Sequence, residues 1–251
     1  QKKAAKMLAE IVGQFNRADY AVQVYITGGP GDAIKEVARL CNEVDLVVCC
    51  GGDGTFNETL SGLLSAESRT PIGYIPTGST NDFASSLKLP LDVLEATKNI
   101  IEGQPVPYDA GRFGGRVFSY VASFGAFTRT SYTTPQSIKN ALGHTAYVLE
   151  GIQELTQIRN EHIKMIVDGE VVEDDFLFGA ICNSTSVGGV LTLDPDVVDL
   201  QDNKLEILLV RAPRNLAELH ECILALQDQT YNCAMLTFRS ATHIRIFADP
   251  E

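Results

Sequence analysis

The feature that most constrains the fold is an apolar run, DLVVCC at residues 45–50, which ends in two glycines. A continuous apolar run of this length, bounded by turn residues, is typical of a strand buried on both faces. A helical pattern follows in FNETLSGLL, and a second apolar run, PIGYIP at 71–76, precedes another helical pattern at 91–103. Strands that alternate with helices in this way predict a doubly wound parallel sheet in an α/β domain.

Two further elements are predicted upstream of this run. Residues 4–18 place apolar side chains at helical spacing, and 21–27 (AVQVYIT) form a short β-branched run that predicts a strand. Asp32 then predicts the start of a helix over 33–44. Because the chain opens directly in a helix and without an initiator Met, we expect the first strand of this domain to be missing from the chain.

The pattern changes after residue 103, where two prolines predict a linker and strand-like runs then dominate. The predicted strands are 116–124, 162–167, 170–182, 204–210, 235–241 and 243–248. Two predicted helices interrupt them, at 145–158 and 215–228. An Asp-Gly pair at 168–169 is a strong hairpin signal. We therefore predict two domains, 1–103 and 104–251, the second an antiparallel β-sandwich with helical excursions whose C-terminal end is missing.

Composition limits the partners. Among 251 residues, Lys+Arg number 20 against Asp+Glu 32, so the formal net charge is −12. Proteins that bind nucleic acid usually carry a basic excess or a basic stripe, so no nucleic-acid partner is predicted. The six cysteines are scattered without metal-ligand spacing, which favours a reducing, cytoplasmic compartment. No apolar stretch approaches the ~18 residues of a membrane span, and no signal peptide opens the chain. Peripheral contact with a membrane and formation of a homodimer stay open.

The sharpest motif is Gly51-Gly52-Asp53-Gly54-Thr55, between a predicted buried strand and a predicted helix. Glycines let the backbone approach a phosphate, whose charge is attracted by successive N–H groups and by the helix N-terminus. Asp53 would repel that phosphate unless a cation such as Mg²⁺ lies between them. The alternative is a tight strand–helix turn with Asp53 as a cap, and this motif alone does not decide between the two. Its spacing matches neither a P-loop nor a dinucleotide fingerprint.

Several motifs together resemble the catalytic domain of the diacylglycerol kinase family, specifically the soluble bacterial lipid kinases, with sphingosine and ceramide kinases as more distant relatives. The matching segments are TGGPGDA (27–33), GGDGTFNE (51–58), PTGSTNDFA (76–84), YDAG (108–111), NSTSVGG (183–189) and LDPDVVDLQDNKLEILLV (193–210). They occur in order over nearly the whole chain. The resemblance implies an NAD kinase/diacylglycerol kinase-like fold and a kinase of phospholipid metabolism that phosphorylates a lipid hydroxyl, with ATP as donor and diacylglycerol as the leading acceptor.

The resemblance also implies which residues bind nucleotide and metal. The nucleotide set is Thr27, Gly51, Gly52, Asp53, Gly54, Thr55, Asn57, Glu58, Gly78, Ser79 and Thr80. The acidic network around the catalytic Mg²⁺ is Asp53, Asp82 and Asp109. A second, structural metal is implied at Asp199, Asp202 and Lys204, with Asp202 binding through its carboxylate and the other two through backbone carbonyls. Gln201 and Asn203 stand there in place of the usual Asp and Gly; Asn tolerates the required left-handed backbone, but Gln201 removes a negative charge.

The general base of the family is a Glu in an Asp-Gly-Glu segment, which we expect beyond Glu251. Asp168-Gly169-Glu170 has the same letters but lies between two predicted hairpin strands, where Asp-Gly is turn chemistry. The expected partner is a lipid substrate at the membrane surface. Two other functions stay open: an NAD kinase-like enzyme, which shares the GGDGT loop, and a non-catalytic regulator that binds nucleotide or lipid. The second loop, PTGSTNDFA, favours the lipid kinase over the NAD kinase-like enzyme.

Overall fold

The computed structural model describes residues 2–79, 81–125, 160–187, 191–193, 196, 198–228, 230 and 233–248. Tertiary contacts divide the chain into two compact units, Gln1–Tyr120 and Val121–Glu251. Residues 104–120 thus group with the first unit, whereas the predicted second domain begins at residue 104. The predicted helix at 145–158 lies outside the described residues.

The first unit is an α/β domain, as the alternation of strands and helices predicts. Its helices are α1 (Lys2–Arg17), α2 (Asp32–Leu40), α3 (Asp53–Ser65), α4 (Asp82–Ser86) and α5 (Val93–Glu102), with a 3₁₀ turn at Cys41–Glu43. Its strands are β1 (Val47–Gly51), β2 (Ile72–Pro76), β3 (Gly111–Phe113) and β4 (Arg116–Phe118). β1 and β2 pair in parallel, and β3 and β4 form a separate antiparallel hairpin.

The core of the first unit lies where α1 and α5 pack against β2. Ile11 and Phe15 of α1 are buried in one cluster with Ile75 of β2 and with Val93 and Ala96 of α5. These α1 residues are four positions apart and therefore share one helical face. The apolar stripe predicted for α1 is confirmed at these two positions.

The strand predicted at 21–27 does not form, so this prediction is wrong. The segment has no regular secondary structure and exposes Val24, Tyr25 and Ile26, the last to 80% of its full surface. A strand needs a hydrogen-bonding neighbour as well as β-branched residues. None of the described strands pairs with this segment, and local composition carries no information about such a partner.

The second unit is built on antiparallel strands, as predicted. The strands are β5 (Val121–Gly125), β6 (Glu161–Val167), β7 (Glu170–Cys182), β8 (Ser186–Val187), β9 (Leu191–Thr192), β10 (Leu205–Arg211), β11 (Leu236–Ala241) and β12 (Ile244–Ala248). The main sheet has the order β11-β10-β7-β6-β12, and β5 also pairs with β7. The first half of β7 pairs with β6 and its second half pairs with β5, so this long strand organises the sheet.

One helix of the second unit, α6 (Leu216–Gln227), matches the prediction at 215–228. Asn215 precedes it, and the Asn215 side chain accepts a hydrogen bond from the Glu218 N–H, which caps the helix. Cys222 and Ala225 of α6 are buried in one cluster with residues of β7 and β10. The sheet and this helix therefore share the core of the second unit.

The Asp168-Gly169 pair forms the predicted hairpin turn. Both residues have positive φ, 49° and 94°, a region that Asp and Gly tolerate better than most residues. The Asp168 carboxylate accepts hydrogen bonds from Thr242 and His243, and the bond from the His243 N–H is the main cause that lowers the pKa of Asp168. The Glu170 carboxylate pairs with Arg239 at 2.9 Å. The segment Asp168–Glu170 therefore connects its own hairpin turn to β11 and to the turn between β11 and β12.

Glu206 on β10 is a buried carboxyl group, only 1% exposed. The Ser240 hydroxyl donates to Oε1 at 3.4 Å, whereas Oε2 has no hydrogen-bond partner among the described residues. Burial raises the pKa of the Glu206 carboxyl to about 7, and the negative charges of Asp202 and Asp199 act in the same direction. A carboxyl group in such surroundings favours its protonated form.

We expect the Glu206 contribution to stability to be lost as the pH rises. The folded pKa lies above the ordinary value of 4.5, so the contribution is full below pH 4.5 and disappears as the pH passes 7. Glu206→Gln should remove this dependence. The unfolding free energy of the variant minus that of wild type should therefore be about 2–3 kcal/mol larger at pH 8 than at pH 4.5. Urea denaturation at both pH values measures these unfolding free energies. The control is Glu221→Gln, a substitution of the same kind at an exposed position. The same pH dependence in wild type and Glu206→Gln would contradict the assignment.

Candidate functional site

The two glycine-rich loops lie at the same edge of the parallel sheet of the first unit. β1 ends at Gly51 and β2 ends at Pro76, and these two residues are opposite each other in the register. The Thr77 N–H donates to the Gly51 carbonyl at 2.8 Å, which extends the pairing past the ends of the strands. In α/β domains, ligands bind beyond the carboxyl ends of the strands, where these loops lie.

The two loops touch through Gly52 and Gly78. A Cβ at Gly78 would lie 2.6 Å from the Gly52 Cα, a separation at which the backbone would have to move. The Asn81 side chain shapes the second loop, since it accepts from the Gly78 N–H at 2.9 Å and donates to the Gly78 carbonyl at 3.1 Å. Positions 52 and 78 therefore need glycine partly because one loop packs directly on the other.

Asp53 links the first loop to α4. Its Oδ2 accepts a hydrogen bond from the Asp82 N–H and its Oδ1 accepts one from the Phe83 N–H, both at 3.2 Å. The sequence offered two roles for Asp53, a cap or a residue that faces a cation. The structure gives it a capping role, although the helix that it caps is α4 and not the helix that it begins.

Asp82 lies close enough to Asp53 for their charges to interact. Burial raises the pKa of the Asp82 carboxyl, the charge of Asp53 raises it further, and a hydrogen bond with Tyr120 lowers it. A cation would relieve the repulsion between the two carboxylates, and carboxylate oxygens are ligands that Mg²⁺ prefers. The pair therefore fits Mg²⁺, provided that water and phosphate supply the remaining ligands. Asp109, the third predicted member, is half-buried in the segment after α5.

The described residues contain no group of three or more His, Cys, Asp or Glu side chains arranged to hold a metal ion. Asp53 and Asp82 thus offer a metal ion two carboxylates from adjoining loops, which is fewer than a complete set of protein ligands. Mg²⁺ commonly keeps several waters and binds proteins through one or two carboxylates plus substrate phosphates. A site of this kind needs the nucleotide for completion.

An aromatic cluster supports the loops. The Phe56 ring stacks on Phe83 with centroids 4.2 Å apart, Tyr74 lies 4.7 Å from Phe56, and Tyr108 meets Phe83 edge-on at 5.2 Å. Burial, and then the charge of Asp53, raises the pKa of the Tyr74 hydroxyl. This hydroxyl is buried without a hydrogen-bond partner among the described residues. The cluster joins α3, β2, α4 and the segment before β3 into one support for Asp53.

Ser119, which no sequence motif indicated, fixes the side chain of Asn57. The Ser119 N–H and hydroxyl both donate to the Asn57 Oδ1, at 2.9 and 2.6 Å, and the Tyr108 hydroxyl donates to the Ser119 carbonyl at 2.8 Å. Because a backbone N–H can only donate, the Asn57 atom facing it must be the oxygen. The Asn57 NH₂ group, which makes no hydrogen bond with any residue the structure describes, is left as a donor. No local motif could have indicated Ser119, since it lies 62 positions from Asn57.

Glu58 and Asp32 shape the upstream loop that contains Thr27. The Glu58 Oε1 accepts a hydrogen bond from the Gly31 N–H at 2.9 Å. The Asp32 Oδ2 accepts from the N–H groups of Gly28 and Gly29, at 2.8 and 3.0 Å, so Asp32 folds the loop while it begins α2. α2 ends at Leu40, short of the predicted residue 44, because a 3₁₀ turn follows. Both acidic groups have identifiable structural roles.

The other members of the predicted nucleotide set lie on the same loops. Gly54 and Ser79 are exposed, Thr27 and Thr55 are half-buried, and Thr80 lies outside the described residues. The Thr55 side chain fills the space over Gly51, where an added Cβ would lie 2.6 Å away. The structure thus brings the first and second loops together, and the nucleotide contacts of these residues stay predictions.

The predicted structural metal site lies in the second unit. The Asp202 Oδ1 accepts from the Lys204 N–H at 3.0 Å, and its Oδ2 lies 3.3 Å from the Lys204 ammonium. Asp199 accepts from the Gln201 N–H at 3.0 Å, and Asn203 has a φ of 60°, in the left-handed region. Both carboxylate oxygens of Asp202 thus face donors of Lys204. A cation at Asp202 would compete with the Lys204 ammonium, and the metal contacts of Asp199, Asp202 and Lys204 stay predictions.

Comparison with known proteins places the chain among lipid kinases. Residues 1–113 match the family model of the diacylglycerol kinase catalytic domain. A diacylglycerol kinase of Bacillus subtilis (strain 168) is 32% identical over 246 residues, which cover 96% of this chain and 80% of the relative. A diacylglycerol kinase of Staphylococcus carnosus (strain TM300) is 33% identical over 243 residues, covering 96% of this chain and 79% of the relative.

Solved structures agree on the fold. A structure from Bacillus anthracis str. Sterne superposes with a TM-score of 0.78 at 26% identity and covers 98% of this chain and 82% of its own. A crystal structure of a diacylglycerol kinase from the same organism gives a TM-score of 0.74 at 24% identity with the same coverage. No helix among the described residues is long and apolar enough to cross a membrane. With its order of motifs, its two-unit architecture and relatives above 30% identity along most of their length, the chain belongs to the diacylglycerol kinase family and is a lipid kinase.

Proposed function

We propose that this protein transfers the γ-phosphoryl group of ATP to the hydroxyl group of diacylglycerol. Membership of the family carries the proposal, because the curated relatives that match nearly the whole chain are named diacylglycerol kinases. The hydrogen bonds of Asp53 to the Asp82 and Phe83 N–H groups support it, because they hold the two loops that would surround the phosphates.

Phosphoryl transfer depends mainly on positioning and on neutralising charge. In the proposed complex, backbone N–H groups of the first loop bind phosphate oxygens near the N-terminus of α3, where the helix dipole favours an anion. Asp53 and Asp82 would hold Mg²⁺, which supplies positive charge to the phosphates when bound. The Asn57 NH₂ group donates to an oxygen of the nucleotide. The aromatic cluster keeps these groups in place and thereby reduces the entropy lost on reaction.

The test is transfer of label from γ-labelled ATP to detergent-dispersed diacylglycerol by the full-length protein. Undecaprenol and a sphingoid base serve as competing acceptors, and NAD tests the NAD kinase-like alternative. We expect labelled phosphatidic acid and no labelled NADP. Labelling of NAD alone would overturn the proposal, and nucleotide binding without transfer to any acceptor would favour the regulator.

Glu170→Gln is expected to leave the turnover of lipid phosphorylation within severalfold of wild type. The Glu170 carboxylate pairs with Arg239 beside a hairpin turn, so it has a structural partner, and we expect it to have no catalytic task. Exposed ion pairs contribute about 0–1 kcal/mol, so stability should also change little. The measurement is kcat with saturating ATP and diacylglycerol. A loss of about a thousandfold or more, the scale of removing a general base, would show that Glu170 is the base.

A further inference from the structure

The turn of the β3–β4 hairpin is a basic and apolar tip on an acidic protein. Arg112, Phe113 and Arg116 are all exposed, Phe113 to 55% of its full surface. Neither arginine forms an ion pair with any described residue, although the chain carries a net charge of −12. From residue 110 to residue 149 the sequence contains Arg112, Arg116, Arg129 and Lys139 and no Asp or Glu. The charge of this stretch is therefore opposite to that of the chain as a whole.

The hairpin geometry presents these side chains outward. Gly114 and Gly115 connect the strands, both with positive φ (54° and 78°), as a two-residue type I′ turn requires. A Cβ on either glycine would meet nothing within 4 Å, so the turn is surrounded by open space. Phe113 is paired with Arg116 across the ladder, and Arg112 is paired with Val117. The two arginines consequently flank the tip on opposite faces of the hairpin.

The base of the hairpin is fixed to the candidate site. The Phe118 ring covers Gly111 so closely that no side chain fits there, and Phe118 is buried. The next residue is Ser119, which holds the Asn57 side chain. The exposed tip and the glycine-rich loops are therefore joined by a short, packed connection.

We propose that the tip Arg112–Arg116 docks on the surface of an anionic phospholipid membrane, with Phe113 inserted between headgroups and the two arginines on lipid phosphates. The proposal rests on the proposed function, because the acceptor of a diacylglycerol kinase resides in a bilayer. Phosphate groups complement arginine in charge and geometry, and a phenyl ring contributes apolar burial at the headgroup boundary.

Charge distinguishes this tip from another exposed apolar segment of the first unit. Residues 21–27 also expose large side chains, but Asp19 precedes them and Asp32 follows them, without a Lys or Arg between the two. An anionic surface would repel such a segment. The hairpin tip combines apolar exposure with cations that have no ion-pair partner among the described residues.

The experiment compares binding to vesicles with catalysis in detergent. Full-length protein is sedimented with vesicles of phosphatidylglycerol and phosphatidylcholine in equal parts, and with vesicles of phosphatidylcholine alone. Each arginine near an anionic surface contributes about fivefold to binding, so Arg112→Gln/Arg116→Gln should weaken binding about 25-fold. Phe113→Ser should weaken it about tenfold. Activity of these variants should fall with diacylglycerol presented in vesicles and stay at the wild-type level with diacylglycerol dispersed in detergent.

The matched control is Val171→Ser/Arg245→Gln in the second unit. Both residues are exposed, and both are paired with Ile166 in the sheet, so they form a comparable apolar and basic pair. Wild-type binding to anionic vesicles by the tip variants, or an equal loss in the control, would overturn the proposal, as would absence of vesicle binding by the wild type. A wild type that binds through the tip but phosphorylates no lipid in detergent would refute the proposed function and leave the docking site standing.

Discussion

Asp53→Asn is expected to lower kcat for lipid phosphorylation by about a thousandfold while the first unit stays folded. The Asn oxygen can still accept the hydrogen bond that Asp53 receives from the Phe83 N–H, so much of the cap on α4 survives. The negative charge, which would hold Mg²⁺ between the loop and the phosphates, is lost. The expected signature is a low kcat with an unfolding midpoint near that of wild type.

The capping role of Asp53 requires a control for lost stability. Asp92 caps α5, since its Oδ1 accepts from the N–H groups of Leu94 and Glu95. Asp92→Ala and Asp53→Ala should each cost about 1 kcal/mol of unfolding free energy, and only Asp53→Ala should abolish transfer. Retention of near wild-type kcat by Asp53→Asn at saturating Mg²⁺ and ATP would remove Asp53 from the catalytic machinery.

Elements that depend on local pattern could be predicted from the sequence. β1 and β2 are apolar runs bounded by turn residues, and their parallel pairing brings the following loops to one edge. The Asp168-Gly169 turn and α6 are likewise encoded within a few residues. The order β1, α3, β2 and the expected position of the candidate site followed from these local signals together with the family resemblance.

Features that depend on distant partners could not be predicted. The strand expected at 21–27 has the right composition, yet no strand of the described sheet pairs with it. Asp53 caps a helix 29 positions further along the chain, and Ser119 reaches Asn57 across 62 positions. A sequence window shows periodicity and capping residues, but these hydrogen bonds arise only once the chain has brought separate loops together.

Ser119 gives Asn57 a defined chemical role that can be tested. With Oδ1 occupied by two donors of Ser119, Asn57 can offer a ligand only its NH₂ group, so it should bind an acceptor such as a nucleotide oxygen. The variant Asn57→Asp keeps an oxygen for Ser119 but replaces the NH₂ donor by a negatively charged acceptor. This substitution therefore keeps the contact with Ser119 that holds the side chain and removes only the hydrogen-bond donor.

We expect Asn57→Asp to reduce kcat/KM for ATP by about a hundredfold, because a hydrogen bond to a charged group is worth about 1.5–3 kcal/mol and the new charge repels phosphate. Ser119→Ala keeps the backbone donor and should lose about tenfold at most. Ser61→Ala is the matched control, because the Ser61 hydroxyl donates to the Asn57 backbone carbonyl at 2.7 Å and leaves the side chain untouched. If Ser61→Ala and Asn57→Asp lose activity equally, the loss reflects damage to α3; if Asn57→Asp retains wild-type kcat/KM, the amide is not a donor to ATP.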